Sequence, residues 1–155
     1  MKKILYSLIA LITVIGLSGC SNIDKELNGT WEASLPSQGA TLTYTFDTEN
    51  HSVNVDVKVA MEDVELATIK VKGKYSVSSD ELIIDIDNEE TDVELSDALI
   101  EASGLSGEEL EPTKQEMLAQ MAPNLENTIV NKVQSISDTE LVLVENGTTV
   151  KFTKK

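Results

Sequence analysis

The chain has 155 residues, 12 basic and 27 acidic side chains, a formal net charge of −15, one cysteine, one histidine and no arginine. Such a charge repels phosphate backbones and anionic head groups, which excludes nucleic acid as a partner. The single cysteine excludes an intramolecular disulfide and a cysteine-based zinc site, so the fold must be held by its core.

The chain opens Met1-Lys2-Lys3, continues through an apolar stretch from Ile4 to Gly16, and ends that stretch at Leu17-Ser18-Gly19-Cys20. Charged region, apolar region and small-residue cleavage site follow in the order of a signal peptide. As a helix the apolar stretch is about 20 Å long, short of a bilayer core of roughly 30 Å. Leu17-Ser18-Gly19-Cys20 resembles a bacterial lipobox, which implies removal of residues 1–19 and a diacylglyceryl group on Cys20. The lone cysteine falls at the one position such a signal needs. The protein is then anchored to a membrane without spanning it. The remaining 136 residues carry 10 basic and 27 acidic groups, a net of −17, and suffice for one domain.

Ser21 to Glu26 reads as a polar tether reaching at most about 20 Å from the lipid. From Leu27 onward, apolar and polar residues alternate with the period of half-buried strands. Strands are predicted at Leu27–Leu35 with Trp31 inward, Thr41–Asp47 with Leu42, Tyr44 and Phe46 on one face, and Ser52–Val59. Two more follow at Ala67–Val77, with Ile69, Val71, Tyr75 and Val77 sharing a face, and at Glu81–Asp87, with Leu82, Ile84 and Ile86 inward. Gly73 interrupts the fourth as a bulge or tight bend. The acidic run Asp85 to Glu94 is expected to leave the strand for a solvated loop.

A helical insertion is predicted at about 96–134, with a short segment at Ser96–Ser103 and a longer one at Glu111–Gln134. In the longer one Met117, Leu118, Met121, Leu125, Ile129 and Val133 recur every three or four residues. Pro123 must kink it or restart it. Two strands, Glu140–Glu145 and Thr148–Thr153, close the chain as a hairpin, because Asn146-Gly147 both tolerate positive φ.

In this order the elements resemble the lipocalin-like domains of small bacterial lipoproteins. The likeness is carried by Leu27-Asn28-Gly29-Thr30-Trp31, the Thr-Tyr-Thr-Phe-Asp strand at 43–47, Gly73-Lys74-Tyr75 with Glu81-Leu82-Ile83-Ile84, and the run from Ile136 to Leu143. It implies a mainly β fold: an antiparallel up-and-down meander forming a barrel or strongly curved sheet, with Trp31 plugging one end. The helical insertion before the final hairpin departs from the family pattern, which places a helix after the last long strand.

No sequence signature of catalysis stands out. His51 is the only histidine and sits in a turn. Asp85, Asp87, Glu89, Glu90, Asp92 and Glu94 offer carboxylates, but the positions that an EF-hand needs as glycine and bidentate glutamate are Glu90 and Ser96. There is no Gly-x-Ser-x-Gly motif or free thiol beside a base. The few aromatics, Trp31, Tyr44, Phe46, Tyr75 and Phe152, fall at core positions, which argues against sugar or base stacking. Met117, Leu118 and Met121 fit a core stripe or, over a barrel mouth, the lining of a cavity. The expectation is a non-enzymatic protein of the cell envelope without metal or cofactor. It is anchored through Cys20 to the outer membrane where the host has one, and otherwise to the outer face of the cell membrane. Its partner is a small apolar ligand held in the barrel or, as the alternative, a cationic secreted protein met by the acidic surface.

Overall fold

The computed structural model describes residues 23–62, 64–121 and 127–155; the predicted signal segment 1–19, Cys20 and the first two residues of the predicted tether lie outside them. A short helix, α1 (Ile23–Leu27), leads into β1 (Gly29–Leu35), a 3-10 turn (Pro36–Gln38), β2 (Ala40–Asp47), β3 (Ser52–Met61), β4 (Val64–Ser78) and β5 (Glu81–Leu95). Two helices follow, α2 (Asp97–Ser103) and α3 (Gly107–Met121), then β6 (Thr128–Ile136), β7 (Glu140–Glu145) and β8 (Thr148–Lys154). Each strand pairs antiparallel with the next, and β8 returns to β1 through Trp31↔Lys154 and Glu32↔Thr153. The eight strands form a closed up-and-down barrel, which removes both sheet edges.

The turns alternate between two ends. At the closed end lie the turns after β2, β4 and β6 together with α1; at the open end lie the turns after β1, β3 and β7 and the two later helices. Side-chain alternation places Trp31, Ala33, Tyr44, Phe46, Val53, Val55, Val71, Tyr75, Leu82, Ile84, Val133, Leu141, Leu143 and Phe152 in one buried cluster with Leu27. Inward Tyr44 stacks on Phe152 with ring centroids 4.9 Å apart, and Phe46 meets Tyr75 edge-on at 5.1 Å. A small barrel filled by interdigitating side chains is the expected consequence.

Gly73 lies on the inner face of β4, where a Cβ would press on the carbonyl oxygen of Asp85 across the β4–β5 pairing. Glycine there lets the two backbones approach. Just beyond it the register steps, so that Lys72 faces Asp87 while Lys70 faces Asp92. Residues 88–91 therefore stand opposite Val71 alone, a wide bulge whose start is fixed by the Glu89 amide donating to Asp87 Oδ1 at 3.1 Å.

Four sequence expectations change. The tether is helical from Ile23, because Ile23 and Leu27, four residues apart, both pack on the barrel's closed end. Leu27 thus belongs to α1 and not to the first strand. The acidic run is strand and not loop, with Lys70 paired to Glu94 at 2.6 Å and Lys72 to Glu90 at 2.8 Å across the outer face, which offsets the repulsion along it. The helical insertion ends sooner than 134, since Thr128–Ile136 is a strand, β6. Ile129 and Val133 satisfy both a four-residue and a two-residue period, and the residue between them on the inner face is polar Asn131, which masked the alternation.

Helix α2 starts where the Ser96 hydroxyl accepts the Leu99 amide at 3.1 Å and stops at left-handed Gly104. Helix α3 starts four residues before the predicted point, at a reciprocal cap in which Glu109 Oε2 accepts from the Ser106 amide at 3.0 Å and hydroxyl at 2.7 Å. Pro112 consequently lies inside it. Helix α2 packs against β4 and α3 against β5, flanking the upper half of β5, which β6 does not reach.

Candidate functional site

The two ends of the barrel differ in chemistry. At the closed end Leu27 and Trp31 are fully buried, and the Trp31 indole donates to the Leu27 carbonyl at 2.6 Å. Lys154 Nζ lies 4.8 Å over the Trp31 ring and donates to the Glu26 carbonyl at 3.3 Å. The Tyr75 hydroxyl donates to Asp24 Oδ1 at 2.9 Å, and exposed His51 sits 3.6 Å from Asp24 Oδ2. Burial first, and then that hydrogen bond, push the Tyr75 phenol above its ordinary range. These contacts clamp α1 onto the barrel floor and seal it.

At the open end the inner face remains aliphatic. Leu42, Val57, Ile69, Ile86, Ile129 and Val150 point inward by alternation and pack against the core, yet each is only partly buried. These inward side chains form the apolar rim of the open mouth. Two residues deeper along the same strands lie Tyr44, Val55, Val71, Asn131 and Phe152, all buried. They form the floor of that mouth.

The floor carries the polar atoms of the barrel interior. Asn131, inward and 3 % exposed, has an Nδ2 with no hydrogen-bond partner among the described residues. One step along the ladder from Lys132↔Val144, the half-buried Glu145 is its neighbour on the inner face. Burial, and then the Glu145 carboxylate, push the Tyr44 phenol up to about 12. An apolar wall with a few convergent polar groups beneath it is the usual composition of a small-molecule pocket.

A concavity of about 580 Å³ lies on the outer face over β3, β4 and β5 and is lined by Ser52, Asn54, Lys72, Lys74, Asp85, Asp87 and the bulge. Its lysine–glutamate pair is already satisfied within the chain: Lys72 is held above its ordinary pKa and Glu90 below its own by their mutual hydrogen bond. The groove is open to solvent and without aromatics, which makes it a weaker small-molecule site than the mouth.

The predicted residues fall as follows. Cys20 lies outside the described residues. His51 is in an exposed turn at positive φ, as expected, but its proximity to Asp24 was not foreseen because α1 was read as tether. Among the described residues no three His, Cys, Asp or Glu side chains converge as a metal ligand set. Met117 and Leu118 are half-buried on α3, beside the mouth on the β5 side; the Met121 side chain lies outside the description. Sequence reading missed Asn131 and Glu145. An inward strand period through Ile129 and Val133 was the signal for Asn131, and the parity of Leu141 and Leu143 was the signal for Glu145.

Strand order and site together define a class: a closed, eight-stranded up-and-down β-barrel sealed by a helix at one end and open at the other. No protein-family model matches the chain, and no curated protein matches it. Among solved structures it is similar to a lipocalin-like protein from Bacteroides uniformis, at 19 % identity and a TM-score of 0.46 over 84 % of this chain and 99 % of that one. It is also similar to an uncharacterized protein from Bacteroides eggerthii, at 19 % identity and a TM-score of 0.44 over 83 % and 99 %. The barrel assignment rests on the strand pairing itself.

Proposed function

We propose that this is a non-enzymatic, lipid-anchored binding protein of the bacterial cell envelope that holds one small, largely apolar ligand in the open mouth of its barrel. The observation that carries the reading is the ring of inward aliphatic side chains at the open end, left partly exposed above a buried floor. Exposed apolar surface on a monomer costs solubility and is usually retained for binding. Barrels of eight strands are wide enough either to fill with side chains or to hold one small ligand. This one combines the two, filled below and lined above.

Anchoring rests on the lipobox-like Leu17-Ser18-Gly19-Cys20. The test is native mass spectrometry of protein extracted from its own host's membranes. The expected spectrum has a chain beginning at Cys20, heavier by a diacylglyceryl group, and a small molecule released on denaturation. A mature chain without added lipid would remove the anchor, and protein that releases nothing would remove the carrier reading.

A further inference from the structure

We propose that α2 and α3 form a cap over the β4–β5 side of the barrel's open end, and that this cap opens as one unit while the barrel beneath it stays folded. The cap deepens the carrier reading, on which its role as a gate rests, by naming the part of the rim that moves. The motion itself belongs to the free protein, so its test needs no ligand.

The first observation is a reversal of burial. On β2 and β8 the inward residues grow more exposed toward the open end: Tyr44 is buried and Leu42 half-buried, Phe152 is buried and Val150 half-buried. On β4 and β5 the same trend starts and then turns back. Val71 is buried and Ile69 half-buried, yet Ala67, two residues nearer the opening, is only 6 % exposed. Likewise Ile84 is buried and Ile86 half-buried, yet Val93 is 0 % exposed. Val93 pairs with Ile69 and Ala67 with Val59, so both belong to the inner face. Both lie apart from the central cluster, and Val93 is well beyond Asp85, the last residue of β5 that β6 reaches. The elements packed there are α2 against β4 and α3 against β5. These helices are what withdraws Val93 and Ala67 from water.

The second observation is how lightly the helices are seated. From Asp97 to Ala119 no side chain is fully buried, and Leu99, Ile100, Leu110, Met117 and Leu118 are all half-buried. The hydrogen bonds of Leu99, Ser103, Ser106 and Thr113 close within the helical segment, as does the ion pair of Lys114 with Glu111. At the base, the Ser96 amide donates to the Leu66 carbonyl at 2.9 Å and ties the start of α2 to β4. A segment with few fully buried apolar groups opens at lower free energy than the core that it covers. Ser96 is the fixed point about which it lifts.

The test uses the domain from Ser21 onward, which contains no cysteine, so that one introduced thiol reports on one position. Val93→Cys puts the thiol under the cap. Val53→Cys makes the same change at a residue 1 % exposed within the central cluster. Both are labelled with a water-soluble disulfide reagent across urea concentrations below the unfolding transition. The Val93→Cys thiol is expected to react about a hundredfold faster than Val53→Cys, at a rate that changes little with urea, because lifting the cap exposes little surface. Adding Leu110→Ser and Leu118→Ser should speed labelling at position 93 by about tenfold and leave position 53 unchanged. Hydrogen exchange of the unsubstituted domain should show α2 and α3 exchanging about a hundredfold faster than β2 and β3. Equal labelling rates with the same urea dependence, or helices protected as well as β3, would overturn the cap and leave the carrier reading standing. A cap that opens as described in protein that releases no small molecule would uphold the cap and remove the carrier reading alone.

Discussion

The domain should lose stability in alkali over a defined window, and one tyrosine should account for much of the loss. With residues 1–19 removed, the tyrosines are Tyr44 and Tyr75. Tyr44 is buried on the mouth floor and its phenol is pushed up to about 12, chiefly by burial. The unfolded chain ionises near 10. Between those values the native state holds a proton that the unfolded state has released, so stability is fully present below about pH 10 and drains away as pH rises toward 12. At 1.36 kcal/mol per unit, the shift corresponds to about 3 kcal/mol for Tyr44. Tyr75, raised by burial and by its bond to Asp24, adds in the same direction, as do Lys70 and Lys72, raised by their glutamate partners. Urea unfolding at a series of pH values, with phenolate absorbance read in parallel, measures the slope. Tyr44→Phe isolates the Tyr44 share and should flatten it by roughly 3 kcal/mol across the window. The reasoning fails if Tyr44→Phe and the native chain lose stability alike, or if both phenols ionise near pH 10 with the barrel intact.

Two further substitutions probe the barrel's construction. Gly73→Ala places a methyl group against the Asp85 carbonyl and should cost about 1–3 kcal/mol, seen as a Tm lower by roughly 3–10 °C; a Tm within a degree of the native value would show that the two backbones part freely. Trp31→Phe removes the bond to the buried Leu27 carbonyl and leaves space in the sealed end, for about 2–4 kcal/mol in urea unfolding together with faster amide exchange in α1. Unchanged exchange in α1 would mean that the helix is held elsewhere.

How much of this was legible in the sequence depended on how local each signal was. The closing hairpin was readable because its turn is chemical: Asn146 and Gly147 both take positive φ, and few other dipeptides do so at little cost. The inward faces of β2, β3 and β4 were readable because apolar and polar residues alternate from Thr41 to Asp47 and from Ser52 to Val59, and from Thr68 to Ser78 with Gly73 as the one interruption. Strand β6 was concealed by a polar residue at an inward position, and the upper half of β5 by acidic residues whose lysine partners lie on another strand. Closure through Trp31↔Lys154 joins the two ends of the domain, and no local pattern announces it. The mouth's aliphatic wall was therefore foreseeable residue by residue, whereas its polar floor was not: Asn131 lay in sequence assigned to a helix, and Glu145 lay at the margin of a strand.

The structure also sharpens what the proposed anchor does. Read as a six-residue tether, Ser21 to Glu26 would let the domain turn freely within about 20 Å of the membrane. With α1 starting at Ile23 and clamped by Trp31, Tyr75 and Lys154, Cys20 is only three residues from a rigid part of the barrel, a span of about 10 Å at most. Residue 23 lies at the sealed end, so a lipid on Cys20 would hold that end toward the bilayer. The strands of β2, eight residues long, then lift the mouth on the order of 20 Å above it. A ligand would then enter and leave on the aqueous side, facing away from the anchoring membrane. The proposed carrier would then sample molecules in the surrounding compartment; one built to extract lipid from its own bilayer would carry its opening at the other end.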